Sequence, residues 1–185
     1  MDDQLIIQKF YERSETAIQL LSDKYGGLCR TVAHRILGSD QDAEECLNDT
    51  LLAAWNTIPP ENPDPLSAYI CRIARNLSLK RYHANTAQKR NTAYDLALEE
   101  LEEYLPGNTS VEDEVLAKEL EHAINAFLAQ LGQRERMLFV KRYWFVESVA
   151  EIADSMGMSK NYVNVHLHRS RKKLESHLKK KGLIA

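Results

Sequence analysis

Leu20, Leu21, Tyr25, Leu28, Val32 and Ile36 recur at steps of three or four along the chain. That spacing places side chains on one face of an α-helix. It predicts a helix from Ala17 to Gly38, softened midway by Gly26-Gly27. At Ser39-Asp40 a capping side chain precedes an acid-rich first turn of Asp42, Glu44 and Glu45, which suits the positive end of a helix dipole. Ala43, Cys46, Leu47, Thr50, Leu51 and Ala54 then form an inner stripe until Pro59-Pro60 stops the helix. Asp64-Pro65 opens a third helix with Pro at its first position. Leu66, Tyr69, Ile70, Ile73, Ala74 and Leu77 lie on one side of it, and Arg72, Arg75, Asn76, Tyr82 and His83 on the other. The second side is basic, hydrogen-bonding and aromatic, a composition that also fits an ordinary solvated surface.

From about Ala84 to Ser110 the periodicity weakens, Asp95, Glu99, Glu100, Glu102 and Glu103 cluster, and Pro106-Gly107-Asn108 supplies a turn. A short acidic helix is compatible with this stretch. Ser110 caps a further helix whose inner stripe is Val115, Leu120, Ile124, Phe127, Leu128 and Leu131, ending at Gly132. Another follows with Met137, Phe139, Val140 and Tyr143. No strand-like alternation of useful length and no internal repeat interrupts the pattern, so the fold class expected is all-α.

Val149 to Leu178 has the layout of a helix-turn-helix. Ala153 is small where the two helices cross, Gly157 stands where a tight turn favours positive φ, Ser159 suits an N-cap, and Val163 anchors the second helix. Val163, Leu167, Ser170 and Leu174 project inward, so Asn161, Val165, His168, Arg169 and Lys172 form the opposite face. Asn and Arg can pair with base edges and Val can touch a thymine methyl, while Arg171, Lys173 and Lys179 to Lys181 flank that face within reach of phosphates. An amphipathic bundle helix with solvated lysines is the plainer alternative. The spacing, the cap and the charge together favour DNA.

Charge changes the picture when it is counted in blocks. The whole chain of 185 residues carries a net −3, a poor match to a protein that coats nucleic acid. Residues 1–85 hold 9 basic and 12 acidic side chains, 86–122 hold 3 and 10, and 123–185 hold 12 and 5. The blocks carry −3, −7 and +7, as expected for a linker between two compact ends, the last of them suited to phosphate. The acidic stretch can serve simply as a soluble spacer.

The remaining chemistry is sparse. Cys29, Cys46 and Cys71 are odd in number and lack a C-x-x-C partner, so buried thiols are expected rather than disulfides or a zinc site. The six histidines are scattered, and His166 and His168 point in different directions on a helix. No G-x-x-x-x-G-K-[ST] loop occurs. A non-enzyme with no catalytic residues, no metal and no cofactor is therefore expected. An acidic N-terminus and the lack of an apolar run of about 18 residues point to a cytoplasmic chain without membrane insertion.

Taken in order, Arg35-Ile36-Leu37-Gly38, Asp42-Ala43-Glu44-Glu45 running to Leu51-Leu52-Ala53-Ala54-Trp55, and Tyr69-Ile70-Cys71-Arg72-Ile73-Ala74-Arg75-Asn76-Leu77 resemble the extracytoplasmic-function group of the sigma-seventy family. So do Leu131 through Arg142-Tyr143, Ile152-Ala153, Gly157-Met158-Ser159 and Leu167-His168-Arg169-Ser170-Arg171-Lys172-Lys173-Leu174. Cys71, Lys80, Gly132 and His166 depart from the residues usual at their positions.

The resemblance implies a sigma factor that binds core RNA polymerase and directs promoter-specific initiation. Its parts would be a region 2-like domain at 1–85, an acidic linker at 86–110, and a region 4-like helix-turn-helix domain at 111–185. Asp42, Glu45, Asn48, Asp49 and Asn56 would meet the clamp helices of the largest polymerase subunit, and the second domain would sit on the flap tip of the second-largest. Arg72, Arg75, Asn76, Lys80, Arg81, Tyr82 and His83 would capture melted DNA at the -10 element. Lys160, Asn161, Asn164, Val165, His168, Arg169, Arg171 and Lys172 would read the -35 element. Promoter DNA and core polymerase are the partners implied, with room for an anti-sigma factor. A free-standing helix-turn-helix regulator of duplex operators is the alternative function.

Overall fold

The computed structural model describes residues 2–85, 93–102, 104 and 114–184, and every regular element among them is helical. The chain divides into two compact units, Met1–Thr92 and Ala93–Ala185.

In the first unit α2 (Thr16–Leu37), α3 (Asp40–Thr57) and α4 (Leu66–Asn85) pack against one another, and α1 (Asp3–Tyr11) packs on α2. The sequence pattern does not anticipate α1. It buries Ile6, Ile7 and Phe10 in the shared core, with Phe10 6.1 Å from the Trp55 ring. Truncating a buried Phe such as this costs about 3–5 kcal/mol. The inner face of α2 runs through Ala17, Leu21, Gly26, Cys29, Val32 and Ile36, whereas Leu28 is exposed. Gly26-Gly27 does not interrupt this helix. A Cβ built on Gly26 would lie 3.3 Å from Ser22 Oγ and 3.7 Å from Leu47, so glycine there lets α2 approach α3 closely.

Helix ends follow the sequence signals closely. Gly38 takes φ 66° and closes α2, and the Ser39 hydroxyl accepts from the Asp42 amide at 3.3 Å to open α3. Pro65 stands immediately before α4 rather than at its first position, its carbonyl accepting from the Tyr69 amide. All three cysteines are free and buried, as expected. A hydrogen bond with Cys71, and then burial, push the Cys29 thiol far above the ordinary thiol range.

The second unit comprises α5 (Ala93–Glu102), α6 (Glu114–Gln130), α7 (Gln133–Phe139), a π-helical turn (Val140–Trp144), α8 (Val149–Met156) and α9 (Lys160–Lys180). Phe127, Leu131, Leu138, Phe139, Ile152, Val163, Leu167, Leu174 and Leu178 fill its core. The predicted cap at Ser110 lies outside the described residues. Gly132 does not end α6 through a left-handed residue: its φ is −57°, and it precedes α7 as that helix's N-cap. The turn of α8 into α9 follows its signals. Gly157 has φ 62°, and the Ser159 hydroxyl accepts from the Tyr162 amide at 3.1 Å. Ser148 and Glu151 add a capping box at the start of α8 that the sequence reading passed over.

The segment expected to be linker over 86–110 is in part something else. Ala97 and Tyr104 are buried, and α5 packs on the π-helical turn within the second unit.

Candidate polymerase and DNA interfaces

On α3, Ala43, Cys46, Leu47, Thr50 and Ala54 are buried, which turns the far side of the helix outward. That side carries Asp42, half-buried, and Glu45, Asn48, Asp49 and Asn56, all exposed. Leu52 lies in the same strip and is 58% exposed. The sequence reading missed it as a site residue, although its i+3 and i+4 spacing from Asp49 and Asn48 was available. An apolar centre ringed by acids and amides is the usual composition of a protein-docking surface.

The burial pattern on α4 is offset from the predicted stripe. Leu66, Ile70, Cys71, Ala74 and Ser78 form its innermost line, while Tyr69, Ile73 and Leu77 are half-buried. Arg72, Asn76, Lys80 and His83 are exposed, and Arg75, Arg81 and Tyr82 are half-buried. The Arg72 guanidinium lies 5.3 Å from the Tyr69 ring centroid, and the Tyr82 and His83 rings meet edge-on at 5.6 Å. Arg81 departs from the expected open cation. It reaches Glu45 at 2.5 Å, Asp49 at 3.4 Å and Asp42 at 3.9 Å, three carboxylates of the candidate polymerase-binding strip. Those bonds also hold the Arg81 guanidinium more firmly protonated, against the cost of its burial. Helix packing puts the end of α4 beside α3, so the two candidate surfaces share this residue.

On α9, Val163, Leu167, Ser170, Leu174 and Leu178 are buried, and Lys160, Asn161, Asn164, Val165, His168, Arg169 and Lys172 are all exposed. Tyr162 lies among them, its ring 4.1 Å from that of His166. It was not among the candidates, though an aromatic three positions after the Ser159 cap was visible in sequence.

Arg171 is placed differently from the rest. Its side chain is only 14% exposed, bonded to Glu100 at 3.1 Å and to the Tyr143 hydroxyl at 2.6 Å. The same Glu100 carboxylate accepts from Arg142 at 2.7 Å and from Tyr143 at 2.9 Å. Burial pushes the Tyr143 hydroxyl well above its usual range, which keeps the proton available for that bond. Tyr104 lies 3.4 Å from His168 Nδ1 through its hydroxyl, and its ring is 5.7 Å from the Arg171 guanidinium. Sequence reasoning assigned Arg171 to phosphate because its partner lies 71 positions away, beyond any local pattern. Among the described residues no cluster of His, Cys, Asp and Glu could hold a metal ion, and no helix is long and apolar enough to cross a membrane.

Two helical units, the second a capped helix-turn-helix, fit the two sigma-factor regions that the chain matches. Residues 21–88 match sigma-70 region 2, and residues 121–174 match sigma-70 region 4. The ECF RNA polymerase sigma factor SigL of Mycobacterium tuberculosis, in three strains, is 24% identical over 168 residues, covering 90% of this chain and 91% of that protein. A solved structure of CnrH in complex with the cytosolic domain of CnrY aligns over 96% of this chain and 97% of that one, at 21% identity and a TM-score of 0.45. The chain belongs to the sigma-70 family, in its extracytoplasmic-function group. It is a DNA-binding factor of transcription initiation, working with core RNA polymerase on promoter DNA, and its family is not a class of enzymes.

Proposed function

We propose that the two units divide promoter recognition. The α9 face of Lys160, Asn161, Asn164, Val165, His168, Arg169 and Lys172 reads the -35 duplex in the major groove, and the outer side of α4 captures the melted -10 strand. The observation that carries this reading is the division of α9, whose five innermost residues are buried while those seven candidates are all exposed behind a Ser159 cap. A helix entering a major groove needs that arrangement. On α4, Asn76 supplies an amide for an unstacked base, with Arg72 and Lys80 beside it for the displaced strand. Trapping single-stranded DNA offsets the few kcal/mol lost per unstacked base, so opening requires no nucleotide hydrolysis.

The α3 strip of Asp42, Glu45, Asn48, Asp49, Leu52 and Asn56 binds the clamp helices of the largest polymerase subunit, and the second unit docks on the flap tip of the second-largest. Acidic side chains around an apolar residue complement a basic protein helix better than they complement DNA. An anti-sigma factor would compete for these same surfaces.

Reconstituted transcription with core polymerase on a library of promoter fragments is the test. Specific starts that appear only when the chain is added are expected, with shared sequence at -10 and -35. A chain that shifts a two-fold symmetric duplex by itself, yet leaves core polymerase unbound, would instead be the free-standing regulator.

A further inference from the structure

We propose that Glu100 and Tyr104 are positioning residues of the DNA-reading helix: they withhold Arg171 from phosphate and cover one flank of His168, so that in the free chain α9 meets DNA with one cation fewer than its sequence displays.

Both residues lie outside the stretches that match regions 2 and 4 of the family. The proposal rests on the reading of α9 as the duplex-binding helix. Glu100 accepts from Arg142, Tyr143 and Arg171 together, so its charge is committed to groups on two different elements of the unit. Arg142 is only 4% exposed, and its other terminal nitrogen donates to the Glu147 carbonyl at 3.0 Å. Its positive charge has Glu100 as its ion-pair partner, and an unpaired buried cation is costly. That requirement anchors α5 in place, and Arg171 is caught in the same carboxylate. The Tyr104 ring then closes over the guanidinium, while the Tyr104 hydroxyl meets His168.

The salt dependence of DNA binding counts phosphate contacts and is insensitive to how well the protein is packed. Full-length chain is titrated onto a mixed-sequence duplex of about 30 base pairs, followed by fluorescence anisotropy from 50 to 200 mM salt. E100Q keeps the shape of the side chain and removes the charge that holds Arg171. It should steepen the slope of log K against log salt by about 0.9, which at 0.1 M salt corresponds to roughly eightfold tighter binding. E99Q removes the same formal charge from an exposed neighbour and should leave the slope alone. The double variant E100Q/R171Q should restore the wild-type slope.

R171Q alone decides the question independently of whether E100Q folds well. It should leave the slope at the wild-type value, because the cation is already withheld. A slope shallower by about one in R171Q would place Arg171 on phosphate in the wild-type chain and overturn the proposal. So would E100Q binding that is no tighter and no more salt-sensitive than wild type. Failure of the sigma-factor reading is seen separately, as wild-type chain that confers no promoter-specific initiation on core polymerase.

Discussion

The Arg81 guanidinium lies 2.5 Å from the Glu45 carboxylate, tying the end of α4 to α3. Asp49 and Asp42 complete the set at 3.4 and 3.9 Å. Arg81 thus lowers the negative charge of a surface proposed to attract a basic partner.

R81Q and E45Q should therefore act in opposite directions on core association. The carboxylates are a third to a half exposed, so solvent screens the pairs and R81Q should cost at most about 1 kcal/mol of stability. R81Q should hold or tighten core binding, while E45Q with D49N should weaken it by about fivefold and reduce its sensitivity to salt. Titration of labelled core polymerase at two salt concentrations checks both. Loss of core affinity in R81Q would mean that Arg81 itself touches polymerase.

Arg169→Ala and Asn76→Ala should separate duplex reading from strand capture. Both residues are exposed, on different units. Arg169→Ala should lose about 1–3 kcal/mol of discrimination at one -35 position if the guanidinium pairs with a guanine. Asn76→Ala should slow opening, followed by permanganate reactivity at -10, and leave binding to a closed -35 duplex intact. Equal loss of both activities in either variant would contradict the division.

The three thiols should resist modification in the folded chain. Cys29, Cys46 and Cys71 are each no more than 2% exposed, and the thiolate is the reactive form. Cys29 is raised by its bond with Cys71 and by burial, so between pH 7 and 9 its thiolate population stays lower than that of a free cysteine. Raising the pH over that range should therefore accelerate Cys29 labelling far less than labelling of a model thiol. Titration with an aromatic disulfide reagent should find no thiol reacting faster than the chain unfolds and three after denaturation. Rapid native labelling of Cys29 would show that the α2 core opens locally.

What the sequence made legible is what short range determines. Ser39, Gly38, Gly157 and Ser159 act on backbone groups within four positions, and each sits at the helix end expected of it. The inner face of α9 was equally readable, because its 3.6-residue period is sustained over about four turns, from Val163 to Leu178. The role of α5 was hidden, since a cluster of acids resembles a solvated linker until Arg142 and Arg171 arrive from 42 and 71 positions away. Arg142 itself resembles a surface cation in sequence. Leu28 shows the reverse error: it satisfies the periodicity of α2 yet is exposed, because the small residues Gly26 and Cys29 carry the close contact instead.

Gly132 and Gly157 should respond oppositely to substitution, although neither would set a Cβ against a neighbour. Gly157 has φ 62°, where an L side chain is strained by roughly 1–2 kcal/mol, so Gly157→Ala should lower the stability of the helix-turn-helix by that amount. Gly132 has φ −57° and ψ 150°, close to the values at the two serine caps of the same unit, −68° and 156° at Ser148 and −76° and 148° at Ser159. It occupies an N-cap position with no side chain to accept from the first turn of α7. Gly132→Ser should supply that acceptor and reduce the freedom of the unfolded chain, for a gain of about 0.5–1 kcal/mol. Denaturant melts of the full chain, following the transition of the second unit, should place G132S above wild type and G157A below it. A G132S variant no more stable than wild type would mean that α7 gains nothing from a capped start, its first turn being held by the core alone.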